Sequence, residues 1–180
     1  LRLVLLCEPA VIAHGHSIHW FRGDVARGYD EKAKLEKLAC VPFWTPSTAV
    51  LAGLEAIGKP KRIAVLSPYW PLADDMIANF LRSAGYEVVG SGGLKATGAT
   101  NVARIGAERV REGFRMVDRP EAEVLVQVGT GLPTVHLTET IEREHGKPLI
   151  GVNAATYWAA LRSIGINDRL QGFGRLWAEC

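Results

Sequence analysis

The sequence predicts an α/β fold built on parallel strands, and three observations carry that prediction. Short, continuous apolar runs recur along the chain at Leu3–Leu6, Ile63–Leu66 and Val124–Val126. Each is followed by a helical pattern, and runs of this length read as strands buried on both faces of a parallel sheet. Each also ends at a chemically capable tip: Cys7, Ser67-Pro68-Tyr69 and Gly129-Thr130-Gly131. Ligands of such sheets sit beyond the carboxyl ends of the strands. A thiol, a phenol and a glycine-rich turn are therefore expected on one side of the molecule, around a small-molecule site.

The run Leu3–Leu6 is expected to be the first strand, followed by a loop with His14, His16 and His19 and an amphipathic helix from Asp24 to Leu38. Pro42-Phe43-Trp44 is a short extended segment. Thr45 suits an N-cap and Pro46 the first helical position. The helix they open carries Val50, Leu51, Leu54 and Ile57 on one face, and Gly58 with Pro60 ends it. Arg62–Leu66 is the next strand, and Leu72–Ser83 a helix closed by Gly85. Tyr86–Val89 reads as a strand, the glycine-rich stretch Gly90–Gly98 as a loop, and Arg104–Met116 as a helix. Glu123–Val128 and Pro148–Val152 complete the strands, each followed by a helix, Thr134–Glu144 and Ala154–Ile164. This alternation argues for parallel strands with helical crossovers. There is a faint internal echo as well. Thr45-Pro46-Ser47-Thr48 resembles Asn153-Ala154-Ala155-Thr156, each opening an Ala-rich helix after a short strand, as a duplicated α/β half would.

With 180 residues, 48% of them hydrophobic and 22% charged, the chain has ample material for a core. A net charge of +2, with no gathering of Lys and Arg, gives no face for tracking phosphates, so no nucleic-acid partner is expected. No apolar run approaches the ~18 residues of a membrane span, and none is expected. The opening Leu1–Leu6 is too short for a signal peptide. Because the sequence starts on Leu with a strand expected at once, an amino-terminal segment is expected to be missing. Three cysteines, an odd number without metal-ligand spacing, point to a reducing cytoplasm.

Cys7, at a strand end before a helical segment, is placed for a depressed pKa and for work as nucleophile or proton carrier, or is a buried structural thiol. Tyr69, stiffened by Pro68 and Pro71, can donate to a carboxylate or enolate oxygen, or simply pack. Gly129-Thr130-Gly131 lets backbone N–H groups approach an anion, but carries neither a Walker A nor a dinucleotide fingerprint. The hydroxyls of Ser47 and Thr48 lie at a helix start, for capping or for ligand. His14, His16 and His19 lack a carboxylate at matching spacing, so no metal is expected. Carboxylate binding or proton transfer suits His16 or His14 better. Cys40 is expected in the core, and His145 at the surface.

These residues resemble a known group. Cys7-Glu8-Pro9-Ala10-Val11-Ile12-Ala13-His14-Gly15 resembles the nucleophile segment of maleate cis–trans isomerases. Thr45–Leu54 and Arg62–Tyr69 resemble both those isomerases and the arylmalonate decarboxylases, and Gly172-Phe173-Gly174-Arg175-Leu176 looks decarboxylase-like. Both groups belong to the aspartate/glutamate racemase superfamily. The resemblance implies two pseudo-symmetric α/β lobes with the site between them, residues 1–58 with 153–180 forming an incomplete first lobe and 59–152 the second. It implies no cofactor and a small carboxylate or dicarboxylate as substrate, with homo-oligomerisation left open. Tyr69 matches the tyrosine that donates to the substrate carboxylate or enediolate. The second catalytic cysteine falls at Gly129, which argues against a racemase. Cys7 is then the attacking thiolate of an isomerase, with Tyr69, Pro68, Ser47, Thr48, Gly129, Thr130 and Gly131 around the substrate and His16 or His14 as the missing acid. A second alignment sets Gly15-His16-Ser17 against the decarboxylases' glycine–threonine–serine loop and leaves no catalytic cysteine. Malonate-type decarboxylation and carboxylate binding without turnover are the alternative functions.

Overall fold

In the computed structural model, which describes residues 1–180, nine α-helices and six strands alternate along the chain. They are α1 (Arg2–Leu5), β1 (Ile12–Ala13), α2 (Val25–Ala39), β2 (Phe43–Trp44), α3 (Pro46–Ala56), β3 (Arg62–Ser67), α4 (Pro71–Ser83), β4 (Glu87–Gly93), α5 (Ala99–Ala103), α6 (Ala107–Val117), β5 (Val124–Gln127), α7 (Thr138–His145), β6 (Leu149–Gly151), α8 (Val152–Ser163) and α9 (Arg175–Glu179). Short 3-10 turns at Ile18–Phe21 and Val135–Leu137 complete the list. All pairing is parallel, in a four-stranded sheet ordered β4-β3-β5-β6 and a two-stranded sheet β1-β2. No helix is long and apolar enough to cross a membrane.

The central strands are buried on both faces, as their unbroken apolar sequence requires. Ile63 and Val65 of β3 face a cluster of 21 buried residues that includes Phe21, Leu54, Phe80 and Trp177 and reaches the small sheet's helices. Ala64 and Leu66 face a second cluster of 13 around Val110 and Phe114. Thr45 caps α3, its Oγ1 accepting the Thr48 N–H. Helices α3 and α8 pack closely at Gly53, where a Cβ would lie 3.3 Å from Ile150 and 3.5 Å from Ala155.

Several expectations are corrected. Leu3–Leu6 is not a strand: residues 2–5 form α1, and Leu3 and Leu6 are 81% and 79% exposed. A four-residue apolar run does not by itself separate strand from helix, and with no neighbouring strand to pair with, its amides turn inward, Leu5 N–H to Leu1 O and Cys7 N–H to Val4 O at 3.1 Å each. The strand of this region is β1, paired to β2 through Ile12 and Ala13. The glycine stretch after Val89 is not all loop either, because β4 runs on to Gly93. There the glycines serve packing. A Cβ on Gly90 would stand 1.9 Å from Val117 O, and one on Gly93 2.1 Å from Tyr69 O. Farther on, the helix expected at Arg104–Met116 is α6, and a short helix that was not expected, α5, precedes it. Cys40 is exposed in a left-handed C-cap of α2 rather than in the core. The His145 side chain is only 8% exposed and pairs with Asp118.

Candidate active site

Three chain segments meet at the carboxyl ends of β1, β3 and β5. The first is Gly15-His16-Ser17, immediately after β1. Ser17 is buried, and its Oγ accepts the Thr130 N–H at 3.1 Å. The same oxygen lies 3.2 Å from the Tyr69 hydroxyl, 52 residues away in sequence. Burial pushes the Tyr69 phenol above its ordinary value, against the opposing pull of the Ser17 hydrogen bond. Tyr69 is therefore a protonated donor through the neutral range.

The Tyr69 segment is held rigidly. Its N–H donates to Ser67 Oγ at 2.9 Å, and that hydroxyl donates to the buried Asp74 carboxylate at 2.5 Å. Leu94, Lys95 and Ala96 donate their amides to the carbonyls of Ser67, Tyr69 and Pro68 at 2.9, 3.0 and 2.9 Å. This clamp explains the glycine at 93: only a bare Cα allows β4 so close to the Tyr69 carbonyl. Burial also raises the Asp74 carboxyl, although Ser67 pulls it down.

The third segment is Gly129-Thr130-Gly131. Gly129 adopts φ +118°, and a Cβ there would stand 2.4 Å from Pro68 Cδ. Its carbonyl accepts from the buried Gln127 amide at 2.9 Å, and Gln127 in turn accepts from Thr134 at 3.0 Å. Asn153, opening α8, donates to Thr130 O at 2.9 Å. A cavity of about 330 Å³ lies against this convergence, lined by His16, Tyr69, Val102, Thr130 and Gly131 among others. A second, of about 260 Å³, lies beside Gly15 and is lined by Ala13, His14, Asn153, Thr156 and Tyr157. Two hydroxyls so gathered, one of them fixed by a backbone N–H, form a hydrogen-bonding nest for a carboxylate or for negative charge developing on one.

Of the residues singled out from sequence, His14, Gly15, His16, Ser17, Pro68, Tyr69, Gly129, Thr130 and Gly131 lie on these three tips or line the two cavities. Ser47 and Thr48 line neither cavity. Both are fully buried in the α3 cap, Thr48 Oγ1 lying 2.8 Å and Ser47 Oγ 3.4 Å from Thr45 Oγ1. Cys7 lines neither cavity, sits in the turn after α1 and is exposed. It does not end a strand, because the strand expected before it is a helical turn. His14, His16 and His19 are not joined by other side chains into a metal-ligand group. Asn153, Gln127 and Trp20 were not predicted. The signal for Gln127 was its amide at the end of an otherwise apolar strand, and for Asn153 its place directly after β6.

The family model for arylmalonate decarboxylase matches residues 7–177. The maleate isomerase of Nocardia farcinica is 32% identical over 130 residues, covering 71% of this chain and 51% of its own. The arylmalonate decarboxylase of Bordetella bronchiseptica is 30% identical over 168 residues, covering 92% of this chain and 69% of its own. This chain thus spans about half the length of the first relative and two thirds of the second. Among solved structures, a liganded arylmalonate decarboxylase variant, with a glycine exchanged for cysteine and a cysteine for serine, superposes with a TM-score of 0.91 at 26% identity. That match covers 99% of this chain and 77% of the other. The Nocardia farcinica maleate cis–trans isomerase bound to TRIS gives a TM-score of 0.91 at 26% identity, covering 99% and 74%. The two positions exchanged in the decarboxylase variant stand as far apart in its chain as Gly15 and Gly129 stand here. By sequence and by fold, the chain belongs to the arylmalonate decarboxylase family.

Proposed function

We propose that this chain carries the carboxylate-activating centre of a cofactor-independent enzyme of the isomerase and decarboxylase type, acting on a small carboxylate or dicarboxylate through an enediolate-like intermediate. The observation that carries the reading is the chain of two hydrogen bonds through Ser17 Oγ, which lies 3.1 Å from the Thr130 N–H and 3.2 Å from the Tyr69 hydroxyl. Thr130 donates to Ser17, and one of the two hydroxyl protons is spent in the Ser17–Tyr69 bond, so the other is free to point at a substrate oxygen. The nest then takes up the charge that develops when a malonate-type acid loses carbon dioxide. The C–C bond breaks, its electron pair passes into the enediolate, and a proton is returned to carbon. His16, which lines the same cavity, supplies that proton in this reading. Neither Gly15 nor Gly129 offers a thiol for it.

A second reading is favoured by one relative: a Nocardia farcinica maleate isomerase variant holds a covalent succinylcysteine intermediate. In that chemistry a thiolate adds to the double bond, the carbon–carbon bond rotates and the thiolate leaves, with the same nest holding the enediolate. Cys7 is the thiol assigned to it. One experiment separates the readings. The protein is incubated in D2O with phenylmalonate and, separately, with maleate, and followed by proton NMR and intact mass. Deuterated phenylacetate, with its formation lost in Tyr69→Phe and His16→Ala and kept in Cys7→Ser, supports the first reading. Fumarate with a succinyl adduct on Cys7 supports the second. Binding of both acids without turnover leaves a carboxylate-binding protein and overturns both.

A further inference from the structure

His14 is a half-buried titratable group that neither reaction above uses. It follows β1, its amide donating to Trp44 O at 2.9 Å, and its ring is fixed by its neighbours. The Trp20 indole N–H donates to His14 Nδ1 at 2.8 Å, and the His16 amide points at the same nitrogen at 3.4 Å. Phe43 stacks against the ring at 6.4 Å between centroids with planes 25° apart. An indole N–H can only donate. Nδ1 is therefore the bare nitrogen, and the neutral ring carries its proton on Nε2, which makes no hydrogen bond within the chain. Protonating Nδ1 would break the indole bond. Burial, and then the charges of His16 and His19, push His14 below the ordinary histidine value, against an upward pull from the His16 backbone.

His14 lines the cavity beside Gly15. Other polar groups of that cavity are already engaged: Asn153 Nδ2 donates to Thr130 O, and Thr156 Oγ1 to Val152 O at 2.7 Å. No acidic side chain lines it. What remains is donation from His14, Tyr157 and the second Asn153 amide N–H, beside the Asn153 Oδ1, and the three donors suit an anion. We propose that His14 is an Nε2–H donor to an oxygen of a carboxylate bound beside Gly15, its tautomer set by Trp20. The proposal rests on the carboxylate reading given above. A neutral imidazole can polarise such an oxygen without surrendering its proton, a division of labour that leaves proton transfer to His16. The titratable groups facing it are His16 and His19 from its own loop and Tyr157 from α8, while β2 contributes the Phe43 ring.

The test is nitrogen NMR of protein labelled with 15N-histidine, joined to malonate titration. The wild type is expected to show His14 as the Nε2–H tautomer at neutral pH. Trp20→Phe is expected to mix the two tautomers and raise the His14 pKa. Malonate is expected to shift the His14 Nε2 proton and to bind about tenfold more weakly to His14→Phe, with affinity partly regained in His14→Gln, which keeps a donor. An Nδ1–H tautomer or an imidazolium at neutral pH overturns the proposal without any variant. Equal malonate affinity in wild type and His14→Phe overturns it while the functional reading stands. Absence of malonate binding to the wild type overturns both.

Discussion

Tyr69 and Gly129 set what the site tolerates, and for opposite reasons. Tyr69 supplies one hydroxyl to the nest, so Tyr69→Phe is expected to lower turnover by roughly 10²–10³-fold while the thermal midpoint barely moves, since the ring still packs. Steady-state kinetics beside a melting curve checks both halves. Gly129 supplies an absence: at φ +118° with Pro68 Cδ in the way, Gly129→Ala is expected to destabilise the fold by about 2–4 kcal/mol. Gly15→Ala meets nothing within 4 Å and is expected to leave the denaturant midpoint within experimental error of the wild type. Much of this was legible in the sequence, because a strand that ends in a polar or glycine turn delivers that turn to the ligand side of a parallel sheet. Tyr69 and Thr130 were found that way. Cys7 was misplaced for the same reason, since the rule was applied to a run that forms no strand. Trp20 gave no signal at all, because a hydrogen bond from an indole to a nearby histidine depends on the turn between them.

Among the elements, β4 shows where composition misleads. A glycine-rich stretch reads as a loop by propensity, yet here the residues from Glu87 to Gly93 pair in parallel with β3. Close approach of two backbones, which no local pattern encodes, decides the matter. Gly90→Ala is therefore expected to prevent folding or to lower the melting temperature by more than 10 °C (a cost of several kcal/mol by way of about 4–8 °C per kcal/mol in a small domain), as seen by circular dichroism. Helix α3 is the contrary case. Its Thr45-Pro46 start and its Gly58-Pro60 end were legible because capping is local chemistry. Thr45→Ala is expected to cost about 1 kcal/mol in urea unfolding, through loss of the bond to the Thr48 N–H. The same cap removes Ser47 and Thr48 from the surface, a consequence of tertiary burial that the motif alone does not contain.

On the scale of the whole molecule, the end of the main sheet remote from the site is tied by a small ionic network. Asp118, at the end of α6, receives His145 Nδ1 at 2.7 Å from the end of α7 and Lys147 Nζ at 2.6 Å from the approach to β6. Burial alone would raise the Asp118 carboxyl, but the hydrogen bonds and charges of Lys147 and His145 outweigh it and hold the carboxyl below its ordinary value. The sign follows: this contribution is fully present above the ordinary aspartate range and is lost as pH falls through the lower folded-state value. Acid melting curves of the wild type should show that loss, and Asp118→Asn should flatten it. A wild type and variant with parallel acid limbs would remove the network from the account. The layered whole was legible because Ile63–Leu66 of β3 and Val124–Val126 of β5 are apolar without interruption and so must be covered on both faces. The aspartate network was not, since its members come from three elements that only the finished fold brings together.

On the decarboxylation reading, one asymmetry of the site carries a stereochemical expectation. Around the nest, the tip after β1 bears imidazoles, at His14 and His16, whereas the tip after β5 consists of Gly129, Thr130 and Gly131 and bears no titratable side chain. Pro68 leaves no room to install one at Gly129. A planar carbanion lodged between such walls is met by hydrogen from a single direction, and a prochiral acid should leave as one mirror-image form in excess.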